Sequence, residues 1–305
     1  MSVRSIAFLG LLSACSALPG GPGTDDIGFG AVVEAARLQN HTIREASGLA
    51  RSNRHSEILW TMNDEGPPVL YAIGTDGSDH GSVYLRTARN IDWEDLAAFE
   101  LDGKSYLLVA DVGDNESRRA HGVIYVVEEP TLSRGQHLEA DIAWRIRFSY
   151  PDGPLDCEAV AVDPSNARIL LLAKRRIPAT LYELPLRPDR DRIIRARRIG
   201  DLDTLPQPTE HDIARALPDN DWHWQPTAMD LSADGRTAAV LTYRRVYVYP
   251  RRAGEGWART FARQPEYLDL AGRREAEAVT LSRDGKAIFV TLEGALAPIL
   301  RFDRQ

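Results

Sequence analysis

A short phrase recurs five times along this chain, and in each copy an oxygen-bearing side chain is followed by an apolar, strand-like run. The copies read Ser47-Gly48-Leu49, Glu94-Asp95-Leu96, Glu158-Ala159-Val160, Thr227-Ala228-Met229 and Glu277-Ala278-Val279. A unit that returns every ~50 to 70 residues marks a closed or stacked repeat fold and argues against a single wound sheet. If the repeats close into a ring, five such groups meet at one point.

The segments between these marks are short runs of β-formers separated by turn residues. From Glu158 the chain passes through Ala161-Val162, the turn Asp163-Pro164-Ser165-Asn166, the run Ile169-Leu170-Leu171-Leu172 and then Leu181-Tyr182-Glu183-Leu184. The units that start at Thr227 and Glu277 repeat this order, with Asp234-Gly235 and Asp284-Gly285 between the first two runs. Asp-Gly between apolar runs is a strong hairpin signal. Each unit therefore reads as a four-stranded meander, and five set radially make an all-β, five-bladed β-propeller with a central channel. The last unit runs out of chain before its fourth strand. The segment Phe29 to Ala35 is predicted to supply that strand and close the ring, which removes an open sheet edge. Only His211 to Leu217 reads as helical.

The chain has 305 residues, 43% of them hydrophobic and 27% charged, which suits one propeller over residues 28–305 without a second domain. A net charge of -7 argues against a nucleic-acid partner and is compatible with a bound cation. The N-terminus reads as a targeting segment over residues 1–14, with Arg4 ahead of a short apolar run from Ile6 to Leu12. Leu12-Ser13-Ala14-Cys15 resembles a bacterial lipobox, which predicts lipidation of Cys15, attachment to a membrane and a flexible tether over residues 15–27. By the same resemblance, Ser16 directs the protein to the outer membrane. Cleavage after Ala17 as an ordinary secretory peptide is the alternative. Cys157 is then the only other cysteine, so no intrachain disulfide forms, and its expected role is buried packing.

The first strand of each propeller blade lines the channel, so Ser47, Glu94, Glu158, Thr227 and Glu277 are expected to face one another. Three carboxylates in a confined space repel unless a cation compensates them or protons stay bound. An all-oxygen set without His or Cys suits calcium better than zinc or magnesium. A water-filled channel whose glutamates cap blade amides is the alternative.

The order Ser, Glu, Glu, hydroxyl, Glu resembles that of the calcium-activated nucleotidase (soluble apyrase) family. The paired Arg175-Arg176 after Glu158 is similar to a paired arginine there. That resemblance implies a five-bladed propeller with one calcium ion in its channel. The chain departs from the family pattern at Thr227, and again at Asn63-Asp64-Glu65-Gly66, where the family has two consecutive aspartates followed by an arginine. Asp111-Val112-Gly113-Asp114-Asn115 has no counterpart there; its spacing resembles a calcium loop but lacks the downstream glutamate of an EF-hand.

Two function classes follow. One is an envelope lipoprotein whose calcium-binding propeller is a non-catalytic binding or scaffold module for an envelope protein partner, a glycan or peptidoglycan, with calcium only structural. The other is a calcium-dependent phosphohydrolase acting on a phosphorylated small molecule, with Arg175 and Arg176 holding phosphate charge and Asp64 or Asp114 orienting water. The insertion from Leu205 to Gln225, carrying Trp222, His223 and Trp224, is expected either to cover the site or to pack on the blade tops. No Gly-x-Ser-x-Gly elbow, His-Glu-x-x-His motif or phosphate-binding glycine loop is present.

Overall fold

Five sheets stand around a central channel, each with four antiparallel strands in the order that the sequence pattern predicts and the first strand innermost. The computed structural model describes residues 28–188, 192–216, 223–273 and 275–305. Cys15, the targeting segment, the tether and Trp222 lie outside the described residues. The inner strands are Ala46–Arg51, Trp93–Leu101, Cys157–Asp163, Pro226–Leu231 and Ala276–Leu281. Four of the five are buried along nearly their whole length because neighbouring blades cover both faces, which explains why they read as continuous apolar runs and not as alternating ones. The core accordingly lies between blades. One cluster joins Leu108, Ile124 and Phe148 of blade two to Val160, Leu171 and Tyr182 of blade three.

The ring closes with Val33–Arg37, which pairs antiparallel with the last strand, Pro298–Asp303. This strand starts four residues later than Phe29 and runs past Ala35; Phe29 itself makes only an isolated bridge to Arg304. The intervening Gly30 donates its amide to the Asp303 carbonyl.

Two strands lie outside the four-stranded pattern. Gln136–Asp141, from the outer loop of blade two, runs parallel to the outer strand of blade one, Asp79–Arg86. Ile194–Arg195, from blade three, does the same for Trp144–Ser149 of blade two. Each of these two blades thus lends a strand back to its predecessor and covers its edge. Among the described residues, helix is confined to Glu210–Ala216, close to the expected turn, to Trp257–Phe261 and to a 3-10 turn at Pro164–Asn166. None of the described helices is long and apolar enough to cross a membrane.

Candidate metal centre at the channel mouth

The five repeated residues occupy the same structural position. In every inner strand the pairing register slips by one residue at that point: at Ser47 between Ala46 and Gly48, and likewise at Glu94, Glu158, Thr227 and Glu277. A bulge leaves one residue out of the ladder and re-aims its side chain. Here it happens once per blade, just inside one mouth of the channel.

Two further tiers sit on these positions. The residue just before each inner strand is Glu45, Asp92, Asp156, Gln225 and Glu275 in turn, acidic in four blades and an amide in the fifth. The residue that leaves the second strand returns a backbone hydrogen bond to this tier: Asp64 to the Glu45 carbonyl, Lys174 to Asp156 and Glu293 to Glu275. Blade two makes the same contact through Gly113, whose amide donates to the Asp92 carbonyl at 3.2 Å. Residues of these tiers enclose a cavity of about 230 Å3, with Tyr243 of blade four and Asn115 on its wall.

The charge in this cavity is one-sided. Seven of its lining side chains are carboxylates, set against the single ammonium of Lys174. Oxygens of Glu94, Asp156 and Glu158, all buried, lie within 4.8 Å of one another. Lys174 Nζ donates to Glu158 Oε1 at 2.6 Å and stands 5.2 Å over the Tyr243 ring. Burial, aided by Glu158 and Asp92, pushes the Glu94 carboxyl well above its ordinary range. Burial also lifts Glu158 to about 7 against the opposing pull of Lys174. Asp64 is raised to about 7 by burial and then by neighbouring Glu45. Asp92 and Glu293 shift the same way, again chiefly through burial.

The hydroxyl members are anchored to the next blade. Ser47 Oγ donates to the Trp93 carbonyl at 2.6 Å, and Thr227 Oγ1 to the Ala276 carbonyl at 2.8 Å. Each hydroxyl thereby keeps its lone pairs for a cation, since a donor hydroxyl still has acceptor capacity.

The loop Asp111 to Asn115 clamps the cluster. Asp114 donates its amide to Asp156 Oδ1 at 3.0 Å, while its own carboxylate accepts the amides of Arg118 and Arg119. Gly113 admits the close approach: a Cβ there would stand 2.2 Å from Glu94 Oε1 and 2.4 Å from Asp92 Cγ. Arg119 Nη2 donates to Asp111 Oδ1 at 2.8 Å, and burial, opposed by that arginine, holds Asp111 at about 6. Arg175 Nε donates to Asp156 Oδ2 at 2.7 Å and its Nη2 to Asn115 Oδ1 at 2.5 Å.

Of the residues expected to act in catalysis, Asp64 lines the acidic cavity, whereas Asp114 lines a smaller recess with His121 and Tyr150. Arg175 braces Asp156 from behind. Arg176 is exposed and borders a separate groove with Leu205 and Trp224. No arginine is among the described residues lining the acidic cavity. Trp224 takes the second of its two expected roles, lying 4.9 Å under the Arg245 guanidinium on blade four. Cys157 is fully buried, and burial raises its thiol pKa, in keeping with a packing role. Asp156, Asp92 and Glu45 were not expected at the site from the sequence, although each stands two residues ahead of a repeated residue, a second periodicity visible in the chain itself.

No protein-family model and no curated protein matches this chain. Among solved structures it is similar to a gluconolactonase from Xanthomonas campestris at 12% identity, covering 85% of this chain and 72% of that one with a TM-score of 0.43. It is similar to a chain of a nidogen/laminin complex at 13% identity, 82% and 72% coverage and a TM-score of 0.42. A luciferin-regenerating enzyme aligns at 7% identity, 90% and 95% coverage and a TM-score of 0.43.

Proposed function

We propose that the channel mouth is a calcium site and that the propeller is a calcium-stabilised binding module, held at the cell envelope through lipidated Cys15. The observation that carries this reading is the convergence of Glu94, Asp156 and Glu158 in a buried cluster that already draws in two cations, Lys174 on Glu158 and Arg175 on Asp156. The donor set fits a hard cation, because carboxylates and hydroxyls are its only members and no His or Cys is among them. Glu94, Glu158 and Asp156 would hold the ion, with Glu277, Ser47 and Thr227 completing the ring. A bound divalent cation would supply the positive charge that the raised carboxyls now obtain by keeping protons.

The carboxylate lining of the cavity favours binding over phosphoryl transfer, since a phosphate ester would meet seven carboxylates there. The test is a melting curve in chelator and in excess calcium. Calcium at 100 times its Kd adds about 2.7 kcal/mol of stability, so Tm should rise with concentration. Glu158→Gln, which keeps shape and removes charge, should shrink that rise. An identical Tm in chelator and millimolar calcium would dismiss the site.

One observation favours a second reading, calcium-dependent hydrolysis. Asp64 lines the cavity with its carboxyl pushed to about 7, the range in which a carboxylate serves as general base at neutral pH. Calcium-dependent turnover of nucleoside diphosphates, lost in Asp64→Asn without loss of the calcium melting shift, would replace the binding-module reading.

A further inference from the structure

The channel has a second mouth. Four residues beyond the bulges, about 13 Å along each inner strand, Arg51, Ala98, Val162 and Leu231 form the floor of a funnel of about 460 Å3. All five blades build its wall through the turn that follows the inner strand, represented by Asn53, Asp102, Ser165, Ala233 and Arg283. Its volume is twice that of the acidic cavity and falls in the range of small-molecule pockets.

The charge here is balanced, with Arg51 and Arg283 set against Glu100 and Asp102. Arg51 is 6% exposed, and its guanidinium is held loosely. Nη1 reaches Asp230 Oδ2 at 3.2 Å and the Leu231 carbonyl at 3.3 Å, and Nη2 reaches the Ala98 carbonyl at 3.4 Å. Charge-assisted bonds are ordinarily shorter, about 2.7 to 2.9 Å. Arg51 Nε has no acceptor, and neither has Nδ2 of Asn53, a residue also 6% exposed. Among the residues lining the funnel, the buried polar atoms without a partner are these two donors. The nearby carboxylates have arginine partners: Glu100 with Arg283 at 2.9 Å and Asp102 with Arg187 at 3.6 Å. Leu101 and Pro164, both part-exposed, supply an apolar wall.

A buried donor without an acceptor costs roughly 1 to 3 kcal/mol, which a ligand bringing the acceptor recovers. We propose that this funnel is a second ligand site, for a small organic carboxylate whose charged end meets Arg51 and Asn53 and whose apolar body lies against Leu101 and Pro164. Both orphaned atoms are shielded from solvent, so seating the carboxylate requires Arg51 to tilt toward the funnel, which its long contacts permit. Arg51 already shares its charge with Asp230, so it can meet at most a monoanion. A phosphate dianion would need more positive charge and would meet Glu100 and Asp102 at the lip.

The experiment uses the calcium-loaded full chain with benzoate as probe, and benzamide and inorganic phosphate as controls, read by calorimetry and melting temperature. Saturable benzoate binding at millimolar concentration is expected, with no response to benzamide or phosphate. Ala233→Trp, an exposed turn position, should occlude the funnel and abolish benzoate binding while leaving the calcium melting shift intact. Asn53→Ala should weaken benzoate about tenfold, the loss of one recovered donor. Arg51→Ala strands Asp230 and is expected to compromise folding, so the test relies on the other two variants. Equal binding of benzamide, binding that survives Ala233→Trp, or no saturable binding of benzoate would overturn the proposal.

Discussion

Lys174 decides the electrostatics of the acidic mouth at the level of single residues. Its ammonium is almost fully buried against Glu158 and occupies the position where a divalent cation would find its strongest ligand. Two consequences of opposite sign follow for Lys174→Met. Without metal, Glu158 loses its partner, and breaking such a buried pair costs about 3 to 5 kcal/mol. With calcium, the competing charge is gone, so affinity should rise at least tenfold and the calcium-dependent melting shift should exceed that of the parent protein. A shift smaller than the parent's would mean that Lys174 helps to build the site. The raised carboxyls make a second prediction. Glu158 and Asp64 hold their protons up to about pH 7 in the folded protein, against ordinary values of 4.5 and 3.8. The folded state then binds more protons than the unfolded state between these limits, so stability falls as pH rises. In chelator, the denaturation midpoint should be highest near the ordinary carboxylate values and decline toward neutrality. Saturating calcium should flatten the decline, because the ion replaces the protons.

The element that makes the site is the bulge at the start of each inner strand. In a regular ladder, each repeated residue would take its place in the pairing with the second strand; the slipped register instead releases it toward the channel. The loop Asp111 to Asn115 is the complementary element. It contributes few direct contacts to the cavity, yet it sets how close Glu94 and Asp156 can stand. Gly113→Ala should therefore leave the β-sheet signature in circular dichroism unchanged while reducing the calcium-dependent melting shift, since the added methyl group must displace Glu94 or Asp92. An unaltered calcium response in that variant would show that the carboxylates relax without loss. The calcium-loop resemblance of this segment thus has a different physical content: its aspartates hold the protein's own amides and arginines.

At the scale of the whole molecule, the ring is tied across its axis by two buried aspartates between the two mouths. Asp95 Oδ2, from blade two, accepts the amides of Val160 in blade three at 2.7 Å and Met229 in blade four at 3.0 Å. Asp230 Oδ2, from blade four, accepts Leu281 N and Thr280 Oγ1 of blade five, each at 2.9 Å, and pairs with Arg51 of blade one. Every blade is reached by one of these carboxylates. Asp95→Ala should destabilise the propeller by about 3 to 9 kcal/mol, because the amides of Val160, Met229 and Leu96 all lose this acceptor. Asp95→Asn, which keeps an acceptor oxygen, should cost less. Equal melting temperatures for the two variants would mean that the bridging amides find other partners.

Much of this architecture was legible in the chain because its causes are local and repeated. Apolar runs of strand length, Asp-Gly turns and a five-fold phrase specify the meander and the blade count, and four of the five repeated residues, Ser47, Glu94, Glu158 and Glu277, line the acidic cavity. The missing fourth strand of the last unit pointed to closure by an N-terminal segment, displaced by a few residues because the pairing is set by the partner Pro298–Asp303 and not by local composition. The tertiary structure alone decided what depends on groups distant in sequence. Asp156 joins Glu94 across 62 residues through the Gly113 loop, Arg175 turns to brace that aspartate, and Lys174 enters the channel. The separation of an acidic mouth from a funnel floored by Arg51 belongs to the same class. A linear pattern tells which residues recur at the head of a strand; only ring closure brings the blades' charges within a few ångströms, where burial and mutual repulsion determine what each group can do.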